Sequence, residues 1–432
     1  MSRENKDLVV GLDIGTSKIV ALVAEINQEG HLNIIGMGSQ DSRGLKKGVV
    51  VNIEDTVHTI SRVVQEVELM ADCKVKDVYT GIAGSHIKSF NSNGMVAIKD
   101  KEVTPTDVER VIETAKAMPI PADQEILHIL TQEFVIDGQD GIREPIGMSG
   151  MRLEVKTHIV TGAVSAAQNI VKCVRRCGLE VNDLVLQPLA SSFAVLSEDE
   201  KDLGVCLIDI GGGTTDIAVW TQGAIRHTSV IPIAGDQVTN DIAMALRTPT
   251  REAEDIKCKY GCALSQLADA AENMEVAGVD DRPSRKLSRR ALADVIQPRV
   301  EELYELIQNE LRRAGFEEVL SSGIVLTGGA SVMPGMVELG EEIFHMPVRL
   351  GNPKYNGSLA DVVQSPRFST AFGLLLEAQA QRKRGQKIKE KQSAKDVFDG
   401  MKSWVAKNFL FSLLQFFQRR YLCFQLSIKR MN

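Results

Sequence analysis

Val205–Trp220, VCLIDIGGGTTDIAVW, is the stretch whose reading decides the fold. An apolar run ends in Asp209, three glycines follow, and a second apolar run begins after Asp216. The pattern predicts a β-hairpin with a tip too tight for side chains. Gly211, Gly212 and Gly213 are free to take positive φ, which lets backbone N–H groups converge on an anion. Thr214 and Thr215 add hydroxyl donors, and Asp209 sits where a hydrated magnesium can be held. A glycine triplet alone fits a plain hairpin turn equally well.

The motif occurs twice. Gly11–Val23, GLDIGTSKIVALV, repeats the order of apolar strand, Asp13-Ile14-Gly15, small hydroxyl residues and apolar strand. Two such tips imply two like lobes facing each other across a phosphate chain. A third glycine turn, Thr327-Gly328-Gly329-Ala330, follows the strand Gly323–Leu326 and precedes a helix expected near Pro334. This set of three resembles the nucleotide fold of actin, Hsp70 and the sugar kinases. Within it the chain resembles the FtsA family, the actin-like proteins of bacterial cell division.

Composition bounds the alternatives. The 432 residues suffice for two or more domains with ample cores. Residues 382–432 carry 13 Lys or Arg against Glu390, Asp396 and Asp399, so the body before them is more acidic than the overall charge of −7. An acidic body argues against nucleic-acid binding, and a basic tail points to an acidic surface. Seven cysteines without framework spacing fit a reducing cytoplasm. Cys173/Cys177 and Cys258/Cys262 are each one helical turn apart; partly buried free thiols explain them better than metal binding. The first residues, MSRENKDLVV, lack a signal-peptide core, and no run reaches the roughly 18 apolar residues needed to span a bilayer.

Along the chain, Leu8–Leu12, Ile19–Ile26, Leu32–Ser39 and Val49–Asn52 read as one sheet, and Ile53–Met70 as an amphipathic helix. Val78–Ala83 is a further strand. Asn93-Gly94 predicts a hairpin turn. Thr104-Pro105-Thr106-Asp107 predicts a capped helix start. Ile126–Ile136 and Met151–Val160 read as strands, Val164–Cys177 as a helix closed by Gly178, and Leu184–Leu196 as a strand running into a helix. Ala190, Ser191 and Ser192 suit a close helix crossing, and ordinary packing predicts the same residues. Ile225–Ile233 reads as a strand, and Gly235–Leu246, Thr250–Gly261 and Leu292–Leu311 as helices. The last is expected to kink at Pro298; residues 277–290 read as a polar loop.

The resemblance implies an α/β, actin-like two-lobed duplicated ATPase fold with an inserted small α+β subdomain and a C-terminal amphipathic helix. Residues 1–83 and 162–197 would form the first lobe (1A), and 84–161 the inserted subdomain (1C) in place of the actin lobe absent near residue 40. Residues 198–226 and 308–381 would form the second lobe (2A), and 227–307 subdomain 2B. It also implies ATP and Mg2+ as cofactors. Asp13 and Asp209 would hold the metal through water. Gly15, Thr16, Ser17, Lys18, Gly211, Gly212, Gly213, Thr214 and Thr215 would hold the phosphates. Gly328 and Gly329 would lie at the adenosine. The Ala-Glu-x-Ile-Lys pattern puts Glu254 and Lys257 at the ribose and adenine; on composition alone they are an exposed helix pair. Gln187, before Pro188, would orient the attacking water. An amide is a poor general base, so weak ATPase activity at most is expected. His86, in a Ser-His-Ile stretch similar to the family's, is expected to be structural or to serve polymer contacts. Phe368–Leu376 resembles the second connecting helix, with Ala371 and Gly373 for close packing. Arg299 and Glu302 are candidates for receiving the C-terminal peptide of the division tubulin FtsZ; a solvated helix face explains them equally. Other partners are further copies of the chain in a filament and other division proteins through 84–161.

Beyond a basic linker at 382–396, Val397–Phe409 is amphipathic: Val397, Phe398, Met401, Trp404, Val405 and Phe409 fall within an arc of about 140°. Lys402 and Lys407 flank it. Trp404 suits a headgroup interface, and each nearby Lys or Arg contributes roughly 1 kcal/mol against an anionic leaflet. The expected location is the cytoplasmic face of the bacterial inner membrane at the septum. Leu410–Asn432 is an apolar and basic extension beyond the family pattern, read either as an added anchor or as a shifted frame. The rival function is a sugar-type small-molecule kinase on the same fold, for which no aspartate base stands out.

Overall fold

The computed structural model describes residues 7–27, 29–278 and 283–383. The first lobe opens with β1 (Leu8–Ile14), β2 (Lys18–Ile26), β3 (Leu32–Asp41), the short pair β4 (Leu45–Lys46) and β5 (Val49–Val50), α1 (Ile53–Ala71) and β6 (Asp77–Ile82). An inserted unit follows: β7 (Lys88–Ala97), α2 (Pro105–Lys116), β8 (Gln124–Ile136), β9 (Gln139–Ile142) and β10 (Arg152–Ala163). The chain then returns with α3 (Val164–Arg176), β11 (Glu180–Leu186), α4 (Gln187–Val195) and α5 (Glu198–Leu203). The second half comprises β12 (Val205–Ile210), β13 (Thr215–Thr221), β14 (Ala224–Ile231), α6 (Gly235–Leu246), α7 (Thr250–Tyr260), β15 (Asn273–Val276), β16 (Arg285–Ser288) and α8 (Arg289–Ala314). It closes with β17 (Ile324–Thr327), α9 (Met336–Phe344), β18 (Val348–Leu350), α10 (Ala360–Val363) and α11 (Ser369–Lys383).

The duplication is explicit in the sheets. One runs β11-β6-β1-β2-β3 and the other β18-β17-β12-β13-β14. In each, an antiparallel meander of three strands is extended on its first strand by two parallel ones. Parallel extension needs a helical crossover, which buries both faces and explains the unbroken apolar runs of β1 and β12. Between the sheets α4 and α11 share a core with Leu22, Leu207, Trp220 and Phe372. They cross closely: a Cβ on Gly373 would lie 1.8 Å from the Ala190 carbonyl oxygen.

Four expectations need correction. Val49–Val50 does not continue the first sheet. It pairs only with Leu45–Lys46 in a small hairpin of its own, and Asn52 caps α1 by accepting from the Asp55 N–H. Asn93-Gly94 is not a turn but lies inside β7. A Cβ on Gly94 would sit 2.1 Å from the Val111 carbonyl oxygen, so the glycine admits α2 onto the strand. The segment 277–290 is not all loop, because Arg285–Ser288 pairs with β15 and Arg289 starts α8. The 226/227 and 307/308 boundaries fall inside β14 and α8. The capping box at Thr104 forms as expected, with Thr104 accepting from the Asp107 N–H and the Asp107 carboxylate accepting in return. α11 continues through Lys383, two residues into the segment read as linker. The remaining tail, including Val397, Phe398, Met401, Lys402, Trp404, Val405, Lys407, Phe409 and Leu410–Asn432, lies outside the described residues.

Two outcomes follow from this packing. Gly373→Ala gains about 1 kcal/mol of helix propensity but forces the α4 crossing apart at about 1–3 kcal/mol. The urea midpoint is therefore expected to fall, and a rise would mean the helices do not meet there. Glu200 is joined to Arg349 at 2.7 and 2.8 Å. Burial alone would raise its pKa, but Arg349 and Ser197 hold it at about 2, below the usual 4.5. The stabilisation this supplies is present above pH 4.5 and lost as pH falls towards 2. Glu200→Gln should lower stability at neutral pH and flatten the acid decline, read by thermal melts across that window.

Candidate functional site

The two hairpin tips meet. In β1–β2 the Gly15 N–H donates to the Lys18 carbonyl at 3.0 Å, and in β12–β13 the Gly211 N–H donates to Thr214 at 3.0 Å, so both loops make the same turn. They interlock through absent side chains. A Cβ on Gly212 would fall 1.7 Å from Ser17 Oγ, and one on Gly213 would fall 2.8 Å from Thr16 Oγ1. None of Gly211, Gly212 and Gly213 has positive φ, contrary to expectation. Gly212 and Gly213 are glycines because the opposite loop occupies the space of their side chains, whereas a Cβ on Gly211 would meet only the Thr214 carbonyl oxygen of its own loop, at 3.2 Å. Gly328 does have φ +89, and a Cβ there would strike Asp209 Oδ1 at 2.4 Å; Gly329 meets only the Arg367 side chain, at 3.9 Å.

Carboxylates line the floor. Asp13 and Asp209 end the equivalent strands β1 and β12, and both are buried. Gln187, the first residue of α4, donates from Nε2 to Asp13 Oδ1 at 3.1 Å. Asp209 Oδ2 accepts from Ser191 Oγ of α4 at 2.5 Å and from Thr370 Oγ1 of α11 at 3.4 Å. Burial, partly offset by Lys18 and reinforced by Asp209, pushes Asp13 up to about 7. Burial likewise pushes Asp209 up, and lifts Asp216 to about 8 with help from Asp209. Asp216 Oδ1 is buried without a hydrogen-bond partner. Hard, buried oxygen donors crowded in this way suit a hydrated Mg2+, which would hold Asp13 and Asp209 ionised. With a phosphate chain between the two glycine loops, the donor set fits Mg-ATP.

The remaining candidates divide. Lys18 lies over the Phe368 ring and donates to the Arg367 carbonyl; burial, opposed by Asp13, lowers it to about 8. Thr16 Oγ1 accepts from the Gly48 N–H at 3.0 Å, and Ser17 Oγ donates to Asp236 at 3.3 Å. Thr214 and Thr215 do not offer free donors. Thr214 Oγ1 donates to Asp216 at 3.1 Å and Thr215 Oγ1 to the Ile233 carbonyl at 2.7 Å, so both hydroxyls are spent inside the second lobe. Of Glu254 and Lys257 only the lysine is sequestered, its side chain 9% exposed against 45% for Glu254. Lys257 Nζ is buried and donates to Glu254 at 2.7 Å, Thr239 at 2.8 Å and the Gly235 carbonyl at 3.1 Å, which ties α7 to the start of α6. Arg299 is held by a fork to Asp241 of α6 and by a contact with Glu302. His86 has both ring nitrogens buried without partners, and burial lowers its pKa. Sequence reasoning missed Asp216, Asp236 and Ser191 as members of the site. Asp216 closes the Asp-x-Gly-Gly-Gly-Thr-Thr-Asp string and could have been read; Asp236 and Ser191 are joined to the site only by tertiary contacts.

Two facing lobes of one topology, each presenting a glycine turn and an aspartate to a shared cleft, define an actin-like ATPase fold. Solved structures agree on the fold. The PilM–PilN type IV pilus biogenesis complex matches with TM-score 0.62 and 17% identity, over 86% of this chain and 98% of that one. MreB5 of Spiroplasma citri bound to ADP matches with TM-score 0.54 and 14% identity, over 88% and 99%. The family profile "Cell division protein FtsA" covers residues 206–373, and "SHS2 domain inserted in FTSA" covers 84–161. The Cell division protein FtsA of Pseudomonas aeruginosa is 58% identical over 94% of this chain and all of its own length. That of Escherichia coli K12 is 46% identical over 94% of this chain and 99% of its own. The chain belongs to the FtsA family of cell division proteins.

The interlocked tips give a sharp test. Gly212→Ala drives a methyl group into Ser17 and should weaken ATP binding by roughly tenfold or more. Ser17→Gly in the same chain removes the obstacle and should restore most of the affinity. Equal affinity of Gly212→Ala and wild type by calorimetry would mean the loops do not close on each other.

Proposed function

We propose that this protein is an ATP-binding, polymerising scaffold that tethers FtsZ filaments to the cytoplasmic face of the inner membrane at the division septum and helps recruit other division proteins. The observation that carries the reading is the meeting of the two glycine tips over Asp13 and Asp209. Bound Mg-ATP supplies a phosphate chain and a cation that both lobes can grip at once. Asp13 and Asp209 would hold the metal through water, and the two tips would bind the phosphates with N–H groups other than those of Gly15 and Gly211, which are spent on Lys18 and Thr214. Lys257 and Glu254 stand at the nucleoside side, fixed by Thr239. Gln187 orients water beside Asp13 but cannot take its proton, so the bound state persists and turnover is slow. Membership of a cell division family supports the cellular role.

In this reading the inserted unit 84–161 serves partners and self-assembly. Its sheet is fastened to β14 by Ser89 Oγ donating to the Thr228 carbonyl at 2.9 Å and Gln132 Nε2 donating to the Ile225 carbonyl at 3.0 Å. Lobe closure is therefore felt where partners would dock. An FtsZ peptide reaching Arg299 and Glu302 has to compete with the Asp241 fork. The amphipathic stretch Val397–Phe409 supplies the membrane contact, and polymerisation adds avidity to a short segment that binds weakly alone.

Pelleting with anionic vesicles, Mg-ATP and FtsZ tests the whole. The full chain should carry FtsZ into the pellet, a chain cut before Val397 should leave it in solution, and removal of Leu410–Asn432 should reduce vesicle binding if that segment anchors. FtsZ recruitment unaffected by the cut at Val397 would refute the tether. Absence of adenine-nucleotide affinity in calorimetry would refute the cleft.

A further inference from the structure

The small hairpin β4–β5 joins neither large sheet and is only two residues long on each side; Val50 and Leu45 root it in the core of the first lobe, while its turn projects away from that core. Its turn is Lys47-Gly48, with φ +49 and +76. Two successive positive φ values are those of a type I′ turn, where asparagine, aspartate or glycine is favoured at the first position. A lysine there is strained, and strain of this kind persists where the surroundings impose it.

Those surroundings are both phosphate loops. The Gly48 N–H donates to Thr16 Oγ1 at 3.0 Å. The Lys47 Cα lies 3.1 Å from where a Cβ on Gly213 would stand. On the other flank a Cβ on Gly48 would lie 2.9 Å from the Ala83 carbonyl oxygen, at the root of the inserted unit. Lys47 is exposed, and among the described residues its side chain has no ion-pair or hydrogen-bond partner. The other lysines of the cleft are engaged, Lys18 at the Arg367 carbonyl and Lys257 at Glu254. The hairpin thus brings the backbone of an exposed lysine to the place where the two tips come together.

We propose that Lys47 is a phosphate-binding residue of the nucleotide cleft, one that distinguishes a nucleoside triphosphate from a diphosphate. This rests on the nucleotide reading of the cleft. Because Gly48 bears on both Thr16 and Ala83, engagement of Lys47 also conveys the phosphate state to the root of the inserted unit.

Lys47→Asn is the decisive variant, since asparagine suits the turn while the charge is lost. In calorimetry on the full chain with Mg2+, its melting temperature should equal or exceed that of wild type. Its ATP affinity should fall roughly tenfold and its ADP affinity much less. Lys46→Asn, one residue away with the same change in net charge, should bind both like wild type. Unchanged ATP affinity in Lys47→Asn overturns the proposal. So does an equal loss in Lys46→Asn, which would assign the effect to the general field, or an equal loss for ATP and ADP. Wild-type protein that binds neither nucleotide refutes the cleft itself, a result distinct from these.

Discussion

The site depends on how closely α4 and α11 cross. Gly373 of α11 lies where any side chain would meet the Ala190 carbonyl, and Gly11 of β1 is pressed against α11, where a Cβ would sit 2.7 Å from the Ala371 carbonyl oxygen. This stack of small residues binds the first sheet, both connecting helices and, through Asp209, the second sheet. Ser191 of α4 and Thr370 of α11 both donate to Asp209, so that carboxylate is positioned by the crossing rather than by its own strand. Asp13 is steadied from the same helix by Gln187. Packing at one contact therefore sets the separation of two acids on different lobes, and a shift of one helix along the other would move both.

The electrostatics follow from that geometry. Burial raises all three carboxylates, Asp13, Asp209 and Asp216; Asp209 adds to the rise of the other two, and Lys18 partly compensates at Asp13 and Asp209. Such an arrangement is costly in an apo fold and favours binding of a hard cation together with an anion that accompanies it. The glycines across the cleft complement it: Gly212 and Gly213 are bare because Ser17 and Thr16 press against them, not because the backbone needs left-handed angles. In the proposed function closure and binding would be the same event, because the tips assigned to the ligand are also where one lobe touches the other.

Much of this was legible in the chain. The paired Asp-x-Gly tips announced the duplication because a tight apposition leaves a local mark, glycine followed by small hydroxyl residues. The same mark misled elsewhere. Asn93-Gly94 has the composition of a turn, yet Gly94 serves a helix laid on a strand, a tertiary need that neighbouring residues cannot reveal. Thr214 and Thr215 carry the right functional groups, but only the fold shows their hydroxyls turned inward. Likewise α8 places Arg299 against Asp241 across a separation that no local pattern encodes. Motifs made by one segment could be read; partners drawn from distant segments could not.

The proposed division of labour between binding and turnover rests on position 187. Gln187 is fixed at both ends of its reach: its amide nitrogen is spent on Asp13, and its stem and amide pack where a Cβ on Gly81 would intrude at 2.8 Å. A carboxylate at this position would be repelled by Asp13 and would compete for the same cation. In the proposed function the amide would keep the cleft's charge for a metal and leave the attacking water without a base at that point. A polymer subunit of the proposed kind would gain from this, because its contacts would need a closed state that outlasts assembly, and slow loss of the γ-phosphate would keep the lobes clasped.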